Sequence, residues 1–502
     1  MGFGWAKSRA AAVPAWVPVV IITATFAVVA WSGLQQWGGA GGDDAYTYRD
    51  YVAWLDLQHR IPRRDQNYEY ALPIGVPALG VAVQRSFGKA KRDETPSPPF
   101  QALPRLARRL LWIGLVLAGA LALFRARFPE PRWLLGVGAW LAAAAWAAAY
   151  VDTATNNEDW LPLVLISFAA GVALVPATSL LAHEVWPERR SAPVLGALAA
   201  VLMPAVFAST LYFHPDPPFA LLCVIATALV LRALRTGLGI KAGLAAGVAL
   251  GAAALTRQSA PVIAASLAVA VALVARRSAV RYLVALGAGM MVVVAPWWYQ
   301  QIERYGNPIQ ANLDRPGYML DHQPLSFYVS FPTQLVTHPY LPSFPNALLP
   351  RFHAYLWSDW GGGYHHWGST KPYATTLASV QSVLGFGGDA LVLGGVALIG
   401  VPALFRVLKR RAAGSTDAPL AVLTTLFLLS WATFVATLVR FPQRGGDPIK
   451  VHYLLFLAPV SAVFAIAAGI AMRRRGGWRR PLLYAWLVAY SVSWALTFLT
   501  AF

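Results

Sequence analysis

Apolar residues in this chain gather in continuous runs, many of about 20 residues, separated by short polar stretches. A run of that length crosses roughly 30 Å of hydrocarbon as a helix. The runs fall at 14–32, 107–124, 133–150, 161–181, 193–210, 218–234, 240–256, 259–275, 281–298, 383–405, 418–439, 451–472 and 481–500. They predict an all-α polytopic membrane protein with about 13 transmembrane helices. Strands of a membrane barrel alternate apolar and polar positions over short segments, and these runs do not. The first run, Pro14 to Trp31, follows Lys7 and Arg9 but is longer than a signal-peptide core, so it reads as a retained helix.

Composition supports lipid as the solvent. Of 502 residues, 57% are hydrophobic and only 13% charged, where a soluble domain carries about 25% charged residues. The formal charge of +19 would suit nucleic acid, but the Lys and Arg sit in short loops between apolar runs. There they set orientation and meet anionic headgroups, which excludes nucleic acid as the natural partner. Cys223 is the only cysteine, so the chain forms no internal disulfide and no cysteine metal site.

Basic residues cluster at 125–132, 189–190, 232–241, 276–281, 406–411 and 473–480, whereas loops 151–160 and 211–217 have none. This predicts a cytoplasmic N-terminus and an extracytoplasmic C-terminus; the abundance of Ala and Arg suggests a GC-rich bacterial genome, and with it a bacterial inner-membrane location. Loop 33–106 is basic yet long, and long loops translocate largely regardless of charge. The expected organisation is an N-terminal membrane module over 1–298 that includes loop 33–106, an extracytoplasmic segment over 299–382, and membrane helices over 383–502. In loop 33–106, Tyr46 to Gln58 and Gly75 to Phe87 read as interfacial helices. No repeat of fixed period and no broken helix is visible.

Polar groups collect at the outer ends of the spans. GGDDAYTYRDY places Asp43 and Asp44 beyond the first helix, where adjacent carboxylates either ligate a divalent cation or act as a general base, unless they form a solvated turn. Glu69 follows in NYEYALPIGVPAL, as a second acid or as an exposed residue beside anchoring tyrosines. His214 and Asp216 lie in YFHPDPPFALL, with Asp216 placed either to cap the next helix or to serve a site. Arg257 and Gln258 fall between two apolar runs in ALTRQSAP, so Arg257 must snorkel, face a cavity or pair. Arg440, Arg444, Asp447, Lys450 and His452 cluster before another span, where phosphate or a lipid headgroup is the natural partner. His365 and His366 are adjacent and match no zinc spacing.

In order, GGDDAY, YEYALPIGVPAL, YFHPDPPFALL, GLAAGVALGAAALTRQSAP, APWWYQQIERYGNPIQANLDRPG, YLWSDWGGGYHHW and GDPIKVHYLLFLAP resemble the GT-C superfamily of polytopic glycosyltransferases. The chain looks most like bacterial members related to the aminoarabinose, protein-mannose and arabinofuranosyl transferases, which use polyprenyl-phosphate sugars. The resemblance implies a catalytic base or metal contact at Asp43 or Asp44, with Asp44 as the metal ligand if Mg or Mn is used. It also implies a second acid at Glu69 and a lipid phosphate near Arg257, Lys450 and His452. WSDWGGGY does not match the WWDYG signature of oligosaccharyltransferases, which argues against transfer to Asn. The implied partners are a polyprenyl-phosphate sugar, a glycan, lipid or protein acceptor, and membrane lipids. Two rivals are a lipid-linked saccharide flippase and an O-antigen ligase or polymerase with a diphosphate-linked donor.

Overall fold

In the computed structural model, the described residues are 14, 16–37, 43–61, 73–87, 161–211, 213–309, 323–331, 347–358, 372–409, 416–440 and 451–501. The predicted spans at 107–124 and 133–150 lie outside them. Among the described residues every regular element is helical. The N-terminal helices are α1 (Trp16–Trp37), α2 (Asp43–Gln58) and α3 (Gly75–Phe87). After them come α4 (Leu161–Val185), α5 (Ala192–Val201), α6 (Pro204–Ala208), α7 (Asp216–Thr236), α8 (Ile240–Thr256), α9 (Ala260–Ala275) and α10 (Val280–Tyr305). Two short helices follow, α11 (Leu325–Val329) and α12 (Leu348–Trp357). The last group is α13 (Pro372–Gly395), α14 (Val401–Leu408), α15 (Asp417–Arg440), α16 (Leu457–Arg475) and α17 (Arg479–Ala501).

Six helical stretches among the described residues are long and apolar enough to cross a membrane, which places the chain in one. One of the six, Ala260–Tyr305, is two helices, α9 and α10, joined by a 3-10 turn at Arg276–Ala279. The chain reverses between α8 and α9 within three residues, as TRQSAP suggests, because Pro261 in the first turn of α9 needs no amide partner.

Three boundaries differ from the sequence expectation. The span expected over 193–210 is broken into α5 and α6, so a broken helix is present after all. Pro204 has no N–H to continue the ladder and forces the preceding residue out of helical geometry; Met203 is extended, at φ −95° and ψ 113°. The span expected at 451–472 begins instead with a 3-10 turn, Val451–Leu454, and α16 starts at Leu457. The span expected at 383–405 starts at Pro372 and passes through a π-helical turn, Val396–Gly400, into α14.

The tightest helix pair is α8 against α10. Gly243, Gly247 and Gly251 line one face of α8 at four-residue spacing, and Gly289 answers from α10. A Cβ built at Gly243 would lie 2.6 Å from the Tyr282 carbonyl oxygen, and one at Gly251 would lie 2.7 Å from that of Met290. Small residues let two backbones approach where lipid offers no hydrophobic drive to association. This seam fixes α8 along its length, and with it the residue that ends α8, Arg257.

The two ends of the bundle differ in chemistry. Glu184 and Arg235 pair at 2.6 Å where α4 and α7 finish. The arginine-rich turns 186–191 and 473–480 lie together, since Arg474 acts electrostatically on Arg189. The opposite end of α7 begins at Asp216, about 30 Å away at 1.5 Å per residue.

Gly247→Leu is expected to lower the melting temperature in detergent, since overpacking a closed seam costs about 1–3 kcal/mol. Gly287→Ala, where nothing lies within 4 Å of an added Cβ, is expected to leave it unchanged. Thermal unfolding of the two variants beside wild type checks both.

Candidate functional site at one end of the bundle

The end of the bundle opposite the arginine-rich turns assembles a polar cluster from five segments of the chain. Asp216 occupies the first turn of α7, and its side chain is only 2% exposed. Pro215 takes the cap position, so Asp216 does not cap the helix. Its carboxylate is instead engaged from two sides: Oδ1 accepts from Arg257 Nη1, and Oδ2 lies 2.5 Å from His214 Nδ1.

Arg257 ends α8 in an extended conformation, at φ −147° and ψ 142°. Its side chain is 15% exposed and lies over the Tyr453 ring, with the guanidinium carbon 4.0 Å from the centroid. Burial opposes the charge on this guanidinium. Asp216, Tyr453 and Tyr48 together outweigh that, and the net shift of its pKa is upward. Arg257 therefore neither snorkels nor stands alone: it pairs.

Two further contacts hold His214. The Ser167 hydroxyl, on α4, accepts from the His214 backbone N–H and donates to the His214 carbonyl, both at 2.9 Å. The Tyr48 ring packs edge-on against the imidazole at 5.8 Å and against Phe213 at 6.2 Å. Tyr48 belongs to α2, whose buried stripe is Tyr48, Tyr51 and Val52. Asp43 and Asp44 head the same helix, within its first turn. Gly75, at the start of α3, sits directly on the Leu255 carbonyl, and Arg85 pairs with Asp56 at 2.7 Å to tie α3 to α2.

The other expected residues fall as follows. Gln258 is half-buried in the turn after Arg257. His452 is in the same 3-10 turn as Tyr453. Arg440 ends α15 and is exposed. Glu69 and Lys450 lie outside the described residues. Among the described residues no group of three His, Cys, Asp or Glu side chains converges as a metal site.

Sequence reasoning missed Tyr48, Ser167 and Tyr453, because an aromatic or a serine near a membrane interface is ordinary there. It also missed a second buried polar group. His353, on α12, faces Asp389 of α13 through Nδ1 at 2.5 Å, and Trp357 Nε1 donates to the other carboxylate oxygen at 2.6 Å. His353 Nε2 lies 2.9 Å from the Ser382 carbonyl and 3.2 Å from its hydroxyl. The residue types match a nucleophilic triad, but the ring hydrogen goes to the nearer carbonyl and Ser382 is wholly buried. The group is a lock that fastens α12 to α13, and α12 in turn packs on α6 and on the 451–454 turn.

No protein-family model matches the chain, and no curated protein matches it. Two solved structures are similar to it. One is the crystal structure of ArnT from Cupriavidus metallidurans in the apo state, 16% identical, covering 90% of this chain and 77% of that one, with a TM-score of 0.40. The other is the same protein bound to undecaprenyl phosphate, 15% identical, covering 91% and 78%, with a TM-score of 0.37. At these values the likeness assigns no activity to this chain.

Tyr453→Leu removes the ring under Arg257 and is expected to cost about 1–2 kcal/mol, the range of a desolvated cation–π contact. Tyr453→Phe, which keeps the ring, is expected to retain most of that. Chemical or thermal unfolding of the two variants separates the ring from the hydroxyl.

Proposed function

We propose that this chain is a membrane glycosyltransferase of GT-C type. It moves a sugar from a polyprenyl-phosphate donor to an acceptor hydroxyl, on the extracytoplasmic face of a bacterial inner membrane and with inversion. The observation that carries the reading is the convergence of α2, headed by Asp43 and Asp44, on the buried His214–Asp216–Arg257 cluster at one end of an apolar bundle. In this reading the acids that head α2 and the Arg257 cation lie at headgroup depth, where a lipid-linked phosphate resides. The motif order of the sequence supports the same reading.

The chemistry is direct. The acceptor oxygen bonds to the anomeric carbon while the bond from that carbon to the phosphate oxygen breaks. Asp44, or Asp43 beside it, takes the acceptor's proton as general base, and polyprenyl phosphate leaves. Cations at the phosphate stabilise the charge that develops there. Lys450, His452 and Arg440 are proposed for this task together with Arg257, whose charge Asp216 shares; Glu69 is proposed as the second acid. Gln258, His214 and Asp216 are proposed to position the donor. Asp44 would hold a divalent cation, whose charge would offset that of the phosphate.

The break at Met203 is the one observation that favours a flippase. No ionisable residue occurs anywhere in 192–208, and Met203 to Ala208 are all buried, so the break offers no site for a charged headgroup.

The test is turnover of a panel of radiolabelled polyprenyl-phosphate sugars by the purified chain, with and without EDTA. One donor is expected to be consumed. Asp44→Asn or Asp43→Asn is expected to lower kcat by about 10²–10⁴-fold with melting unchanged. Full turnover by Asp44→Asn would remove this residue from the mechanism, and the EDTA arm decides the metal.

A further inference from the structure

Three polar atoms near this cluster are buried without a partner. The Tyr51 hydroxyl on α2, and both the oxygen and the nitrogen of the Gln301 amide on α10, are closed to solvent and make no hydrogen bond among the described residues. Tyr51 is wholly buried and Gln301 is 1% exposed. Native proteins pair nearly all such atoms, and an orphaned one calls for an explanation.

The two side chains lie on neighbouring stretches of α2 and α10. Tyr51 packs on Trp297. Burial and the nearby Tyr305 push the Tyr51 hydroxyl pKa upward, against the opposing effect of Arg304. Gln301 sits between these contacts, four residues after Trp297 and four before Tyr305, on the same face of α10. Leu255 and the half-buried Trp298 pack against the same group. Leu255 is two residues before Arg257, so the orphaned atoms adjoin the proposed phosphate site.

We infer that Tyr51 and Gln301 form a subsite for the hydroxyl groups of a sugar ring, entered past Trp298. An amide offers a donor and an acceptor together, a phenol adds a third group, and indole rings supply the apolar wall that a sugar's C–H face needs. Neither side chain has such a partner among the described residues. The inference rests on the transferase reading for the identity of the ligand, but the orphaned atoms stand without it.

The test pairs a stability readout with a binding readout in Tyr51→Phe and Gln301→Leu, each of which removes orphaned atoms and keeps bulk. Removing a buried polar group that has no partner does not destabilise a fold, so both variants are expected to melt at or above the wild-type temperature. At the same time, KM for the donor found in the panel is expected to rise about tenfold, the value of one or two lost hydrogen bonds. A lower melting temperature in both variants would show that these atoms already have structural partners and would overturn the subsite. An unchanged KM in both would overturn it too. If wild type turns over no donor, the transferase reading fails separately. The subsite is then read from thermal protection by free pentoses and hexoses at millimolar concentration. Protection of wild type but not of the variants supports it, and no protection overturns it.

Discussion

A guanidinium and a carboxylate shut away from water at the end of an apolar bundle must satisfy each other, because either alone is too costly to bury. Arg257 and Asp216 do this, and much of the candidate site is arranged around them. The pair joins the start of α7 to the end of α8, two helices adjacent in sequence whose facing ends would otherwise meet only through apolar contacts. His214 completes the carboxylate on one side, and Tyr453 covers the guanidinium from a segment nearly two hundred residues further on. Such a pair contributes less to net stability than to specificity: once it is buried, few other arrangements of these helix ends leave both charges paired.

The rest of the fold makes that pairing reachable. The glycine seam holds α8 against α10 at backbone contact, which sets the depth at which Arg257 emerges. At the other end of α7, Arg235 and Glu184 anchor the helix to α4. Helix α2 then closes over the cluster through Tyr48, and α3 braces it from the Leu255 carbonyl and the Arg85–Asp56 pair. The spans thus position a set of short elements at one end of the bundle, and the groups suited to chemistry ride on those elements. The partition follows from the solvent: lipid tolerates few polar side chains along the spans, so they gather where the spans end.

Much of this was legible in the residues. Continuous apolar runs marked most of the described spans to within a few residues, and Arg257 and Gln258 marked the division between α8 and α9. His214, Asp216 and Arg257 stood out as polar groups between apolar runs, and the structure brings all three together. The pairing itself could not be read, since 41 residues and a hairpin of helices separate Asp216 from Arg257. The break at Met203 was hidden because Pro204 sits within an unbroken apolar run, and membrane helices often tolerate proline. The spacing of Gly243, Gly247 and Gly251 was the available signal for the helix seam. The orphaned hydroxyl of Tyr51 and amide of Gln301 had no signal at all, because only packing reveals that a polar atom lacks a partner.

The most direct test of the account is a double-mutant cycle on Arg257→Gln and Asp216→Asn, read both by unfolding and by donor turnover. Each single variant is expected to lose about 3–5 kcal/mol of stability and most turnover, because each leaves its former partner buried and unpaired. The double variant is expected to be no less stable than either single one, with a coupling above about 1 kcal/mol. Additive losses, or single variants as stable and active as wild type, would contradict the claim that this pair organises the site.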